Sequence, residues 1–86
     1  MLKKTALVTG SGARIGKGIA MRLAEDGFNV VVNGSKDEAA CQSVVSEIEA
    51  NGGSAYVCMA DIGQRSDIDR LIDSTHNHFG PVHVLV

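Results

Sequence analysis

Apolar positions along this chain fall into two alternating periods. Short apolar runs occur at Ala6-Leu7-Val8, at Val30-Val31-Val32 and between Ala55 and Met59, and a further apolar stretch, interrupted by His83, begins at Val82. Runs of this length predict strands, and the unbroken apolar character of Val30-Val31-Val32 predicts cover on both faces of a sheet. Between them the apolar residues recur at helical spacing. Ile15, Ile19 and Leu23 form one stripe, flanked by the small residues Gly16, Ala20 and Ala24, which allow a helix to pack closely on a sheet. Gly27 ends that helix. Cys41, Val44, Val45 and Ile48 follow the i, i+3, i+4, i+7 rule for a second buried face, and Ile68, Leu71, Ile72, Thr75 and Phe79 mark a third helix.

Capping signals set the expected boundaries. Ser35-Lys36-Asp37-Glu38 has the S-x-x-E spacing of a capping box, so the second helix is expected to open at Ser35 and to stop at Asn51-Gly52-Gly53. Ser66-x-x-Asp69 is a weaker box for the third helix, which Gly80-Pro81 closes. The predicted strands are Thr5 to Thr9, a second at Val30 to Val32, Ala55 to Met59, and a fourth from Val82 in which the chain stops at Val86. Strictly alternating strands and helices predict β-α-β units and a parallel sheet.

The turn after the first strand carries the chemistry. Thr9-Gly10-Ser11-Gly12-Ala13-Arg14-Ile15-Gly16 joins an apolar strand directly to a helix. Gly10 permits a sharp turn, Gly16 permits close helix–strand approach, and the free amides of the first helical turn face an anion such as a diphosphate. Glycine-rich turns are common, and it is the strand–turn–helix context that raises this one. Arg14 carries a rigid guanidinium fork of the kind that binds phosphate oxygens in pairs, or else is a solvated surface arginine. At the end of the second strand, about 20 residues past the loop, a carboxylate ordinarily bonds the ribose 2′-hydroxyl of NAD. Gly34 stands there instead. Asn33, Ser35 and Lys36 offer donors and a positive charge, which favours NADP over NAD, although Asp37 and Glu38 weaken the field and Ser35 has an equal reading as a helix cap.

Composition excludes several classes. The chain has 86 residues, 44% of them apolar and 21% charged, with a formal net charge of −2, which fits one small globular domain. That charge offers no diffuse attraction for nucleic acid, and Lys3-Lys4 is too short for a basic arm. No apolar stretch is long enough for a membrane span, and the first residues lack a secretory core, so a cytoplasmic location is the default expectation. Cys41 and Cys58 lack a CxxC pattern and read as reduced packing residues rather than a disulfide or metal pair. His76 and His78 lie two apart on a helix and point to different faces, so these two and His83 read as solvated residues before metal ligands.

Taken together, Thr9-Gly10-x-x-x-Arg14-Ile15-Gly16, Asp61-Ile62 and Phe79-Gly80-x-x-x-x-Leu85-Val86 resemble the amino-terminal half of the short-chain dehydrogenase/reductase family, over all 86 residues. Arg14 departs from the family's central glycine, and TGxxxRIG is similar to the loops of pteridine reductases and of relatives of acyl-carrier-protein ketoreductases. The resemblance implies a Rossmann-type doubly wound parallel sheet of order 3-2-1-4, truncated in strand four. It implies hydride transfer between NADP(H) and a small ketone or alcohol, with the cofactor held at Gly10, Ser11, Gly12, Arg14, Ile15, Gly16, Asn33, Ser35, Lys36, Asp61 and Ile62. Asp61 would accept from the adenine amino group and the Ile62 backbone would read the ring, the alternative for Asp61 being a turn former. His83 replaces a family aspartate, which puts one local hydrogen bond in doubt.

The family's catalytic serine, and its tyrosine with a lysine four residues later, cannot be placed here: Tyr56 is followed at that spacing by Ala60. Residues 1–86 are therefore expected to form the dinucleotide-binding half of a longer enzyme, or to associate with a carboxy-terminal half or with further copies. Right-handed crossovers put the first two helices on one face of the sheet and the third on the other, leaving that second face half bare. The alternatives are a non-catalytic nucleotide-binding or assembly fragment, and a glycine turn with no ligand.

Overall fold

The computed structural model describes residues 3–12 and 14–86. Its elements run β1 (Thr5–Val8), α1 (Arg14–Glu25), β2 (Asn29–Gly34), α2 (Glu38–Ala50), β3 (Ser54–Met59), α3 (Arg65–Phe79) and β4 (Val82–Leu85). The four strands form a parallel sheet in the order β3-β2-β1-β4. β1 and β2 lie at its centre, which is why Ala6, Leu7, Val8, Val30, Val31 and Val32 are buried with no polar alternation.

Because successive residues of a strand point to opposite faces, β2 serves two cores. Val30 and Val32, with Val8, pack against Ala20 of α1 and against Cys41, Val44, Val45 and Ile48 of α2. Val31 and Leu7 face the other way, toward Leu71 of α3, with Cys58 and Ala60. α1 and α2 thus cover one face and α3 the other, the doubly wound arrangement implied by right-handed crossovers. The second face is incompletely covered: Ile68 and Ile72 of α3 are 36% and 38% exposed and Leu85 of β4 is 69% exposed.

Local chemistry explains where the elements stop. α1 and α2 end alike: the amides of Phe28 and Gly53 reach back to the carbonyls of Leu23 and Ile48, with Gly27 and Gly52 at positive φ. The start of α2 differs from the S-x-x-E expectation. Asp37, not Ser35, is the cap, its Oδ1 accepting from Ala40 N at 3.0 Å, so the helix opens two residues later. A carboxylate three residues before a free amide satisfies the same geometric rule. Ser66 likewise lies inside α3, which Gln64 precedes without a side-chain cap. Ile15 leaves its expected stripe and is 81% exposed, because it sits in the first turn of α1 beyond the end of the sheet.

His83 resolves the doubt attached to it. The β1–β4 pairing passes from Thr5↔Val82 to Ala6↔Val84, so His83 is an extra residue in β4. Its Nδ1 accepts from Thr5 N at 3.2 Å, replacing the ladder bond that the irregularity removes. His78 stacks on Tyr56 at 4.1 Å between centroids, with Phe79 edge-on to both rings. All three histidines are exposed, and Cys41 and Cys58 are buried free thiols.

The two faces predict different responses to truncation. Ile48→Ala, in the closed core, is expected to lower unfolding free energy by about 3 kcal/mol, and Ile72→Ala on the open face by under about 1 kcal/mol. Urea denaturation of both variants checks the difference.

Candidate cofactor site

The carboxyl ends of β1, β2 and β3 bring three sequence segments together: the glycine bend after Val8, the stretch from Asn33 to Lys36, and the turn beginning at Asp61. In open parallel sheets this edge, outside the strand ends, forms ligand crevices. The bend is tight. Gly10 has φ +60°, and a Cβ on Gly16 would collide with the Gly10 carbonyl, so the first turn of α1 sits directly over the end of β1.

Ser11 and Asn33 hold that bend from beneath. Ser11 Oγ donates to Val8 O at 2.6 Å and accepts from Asn33 N at 3.0 Å, while Ser11 N donates to Asn33 O at 2.8 Å. Asn33 Oδ1 accepts from Gly10 N at 3.3 Å, and its Nδ2 donates to Cys58 O at 3.0 Å and Ala60 O at 3.3 Å. One amide therefore ties the loop to β2 and β3. This corrects two expectations. Ser11 and Asn33 are 0% and 2% exposed with their polar atoms engaged inside the protein, so neither presents a donor to a ligand. They set the shape of the crevice, because buried polar groups must be satisfied internally.

The rest of the loop faces outward. Arg14 is exposed and has φ +56°, among the described residues the one non-glycine at positive φ. A side chain in the left-handed region costs roughly 1–2 kcal/mol, so the conformation is imposed by the bend around it. The amides of the first turn of α1, from Arg14 onward, have no partner within the helix and lie at its positive end. Ser35 and Lys36 are both exposed, on the link between β2 and α2.

Asp61 and Ile62 lie on an exposed turn that is braced from within. Asp61 Oδ1 accepts from Gly63 N at 2.9 Å, the turn-forming role, and Asp61 N donates to Asp67 Oδ2 at 2.8 Å. Arg70 Nη2 lies 3.6 Å from Asp67 Oδ1 and donates to Met59 O at 2.9 Å. Asp67 and Arg70 escaped the sequence reading because their partners are backbone atoms brought near only by folding. Among the described residues, no group of three or more His, Cys, Asp or Glu side chains is arranged to hold a metal, and no helix is long and apolar enough to cross a membrane.

A doubly wound parallel sheet with a glycine bend at the carboxyl end of its first strand is a Rossmann-type α/β architecture. Comparison with known proteins narrows the class: the family model for short chain dehydrogenases matches residues 4–86. The chain belongs to the short-chain dehydrogenase family. It is 42% identical over 87 residues to a 3-oxoacyl-[acyl-carrier-protein] reductase of Staphylococcus epidermidis, covering 99% of this chain and 35% of that protein. It is 45% identical over 83 residues to a hydroxynaphthalene reductase-like protein of Metarhizium robertsii, covering 96% of this chain and 31% of that one. The crystal structure of a dehydrogenase/reductase from Sinorhizobium meliloti superposes with a TM-score of 0.94 at 38% identity, over 99% of this chain and 34% of that chain. The chain thus spans about a third of the length of these relatives.

Asn33→Asp keeps the acceptor toward Gly10 N but removes both donors. It is expected to destabilise the chain by about 3 kcal/mol, because a carboxylate would then face the Cys58 and Ala60 carbonyls. Denaturation midpoints check the loss, and faster exchange of the Gly10 and Ser11 amides would localise it.

Proposed function

We propose that residues 1–86 are the amino-terminal, dinucleotide-binding half of a reductase of the short-chain type that works with NADP(H) on a small ketone or alcohol. The observation that carries this reading is the bend itself, in which Gly16 packs on the Gly10 carbonyl while α1 presents its first amides to the crevice. A Cβ at position 16 would strike the Gly10 carbonyl and push α1 off the bend, so glycine there lets the free amides of the first helical turn come close enough to hold a diphosphate. Gly12, Arg14, Ile15 and Gly16 would hold the diphosphate, the Arg14 guanidinium adding its fork. Asp61 would accept from the adenine amino group and Ile62 would lie against the ring. Gly34 places no carboxylate at the end of β2, and exposed Lys36, with Ser35, would meet a ribose 2′-phosphate. When bound, the coenzyme supplies the hydride. Carbonyl reduction is supported by the names of the two curated relatives, both reductases. The catalytic serine, tyrosine and lysine of such an enzyme are assigned to no residue of this chain, and a cytoplasmic location with assembly into an oligomer or with a carboxy-terminal half accompanies the reading.

A second reading, a nucleotide-binding or assembly fragment without catalysis, draws support from the open α3 face. There Leu7, Ile62, Ile72 and Leu85 border a hollow of about 410 Å³. NADPH fluorescence titration, with a parallel turnover assay on the longer or reconstituted enzyme, separates the two: turnover there supports the enzyme, and binding that stays without turnover supports the fragment.

Two substitutions probe the contacts. Lys36→Glu is expected to weaken NADPH by about tenfold and leave NADH nearly unchanged, and equal loss for both would refute the role given to Lys36. Arg14→Gly should weaken both coenzymes while raising unfolding free energy by about 1 kcal/mol, since glycine relieves the left-handed strain. Calorimetric titration and thermal unfolding of the same sample check both effects.

A further inference from the structure

Cys41 lies beneath two sides of the crevice at once. It is 1% exposed in the buried face of α2, in the second turn of that helix. A Cβ added to Gly34, the last residue of β2, would stand 2.7 Å from Cys41 Sγ, and one added to Gly12 in the bend would stand 3.0 Å from the same sulfur. At Gly34 the next nearest atoms are Met59 Cε at 3.7 Å and Met59 Sδ at 4.0 Å, which are ordinary contacts. Conformation does not demand glycine at this position, since Gly34 is strand backbone and is absent from the positive-φ glycines. A single sulfur atom obstructs a Cβ at position 34 and would have to shift to admit a side chain there. Burial first, and then the carboxylates of Asp37 and Glu38, raise the Cys41 thiol above its ordinary pKa, so it fills space as a neutral group.

We infer that Cys41 is a specificity-determining residue that acts through position 34: its sulfur holds that position to glycine and so keeps a carboxylate from the end of β2. A carboxylate there would accept from the 2′-hydroxyl of NAD and repel the 2′-phosphate of NADP. Coenzyme preference is then set partly by a side chain that touches no coenzyme. This inference rests on the proposed coenzyme role.

The test compares the chain with Cys41→Ala, Gly34→Asp and the double variant, reading both unfolding midpoint and the affinities for NADPH and NADH. Gly34→Asp alone is expected to lower the midpoint and weaken both coenzymes, because its Cβ strikes the sulfur. Cys41→Ala should keep the preference for NADPH. The double variant should recover stability relative to Gly34→Asp and shift the NADPH-to-NADH affinity ratio toward NADH by about tenfold or more. Should Gly34→Asp fail to fold, Gly34→Ala with and without Cys41→Ala reads the same steric coupling with a smaller group. Strictly additive stability effects, or a full switch to NADH by Gly34→Asp alone, would overturn the inference. Absence of coenzyme binding in all four proteins, with the stability coupling intact, would overturn the coenzyme role and the specificity role with it, leaving Cys41 as packing.

Discussion

The side-chain amide of Asn33 is the constraint on which the rest of the crevice depends. At the end of β2 it accepts from the bend after β1 and donates to two carbonyls at the end of β3, so three parallel strands terminate in fixed relation. A bend with Gly10 at positive φ and Gly16 pressed on a carbonyl has little intrinsic reason to keep its shape. Ser11 and Asn33 supply that reason from below, in a region where an unmet hydrogen bond is expensive. The outward groups, the first amides of α1 and the Arg14 side chain, are thereby set in place before any ligand arrives.

A division of labour follows between the buried and exposed parts of the same segments. Ser11, Asn33 and Cys41 face inward and determine backbone shape and free volume. Arg14, Ser35 and Lys36 face outward and carry the charge and donors proposed for a coenzyme. Asp61 and Asp67 repeat the pattern at β3, where Asp67 and Arg70 fix a turn whose exposed residues are the ones proposed to meet adenine. Ligand preference in such a site depends as much on what the inner residues exclude as on what the outer ones attract.

Much of this was legible in the sequence, for identifiable reasons. Periodicity placed every element, and the face Cys41, Val44, Val45 and Ile48 is buried as spaced, because helical geometry alone decides which residues share a side. The strand order was implied by the family resemblance, and crossover handedness then decides which helices share a face. The errors have a common cause, competition between equivalent local solutions. Asp37 caps α2 in place of Ser35 because either oxygen can serve and only the path of the chain out of β2 decides between them. Asn33 was read as a donor to a ligand because its position was right, while its partners on β3 are brought near only by sheet pairing. His83 is similar: no local pattern shows that an extra residue in β4 would leave Thr5 N for an imidazole to bond.

The central claim, that the bend is a preformed anion cradle, is tested most directly by following backbone amide resonances of the chain during titration with NADPH. The largest shifts are expected at Gly12, Ile15 and Gly16. Gly10 and Ser11, whose amides are already bonded to Asn33, should move least. Shifts confined to the opposite end of the sheet, around Lys4, Asn29 and His83, or no shifts at saturating coenzyme, would contradict the account.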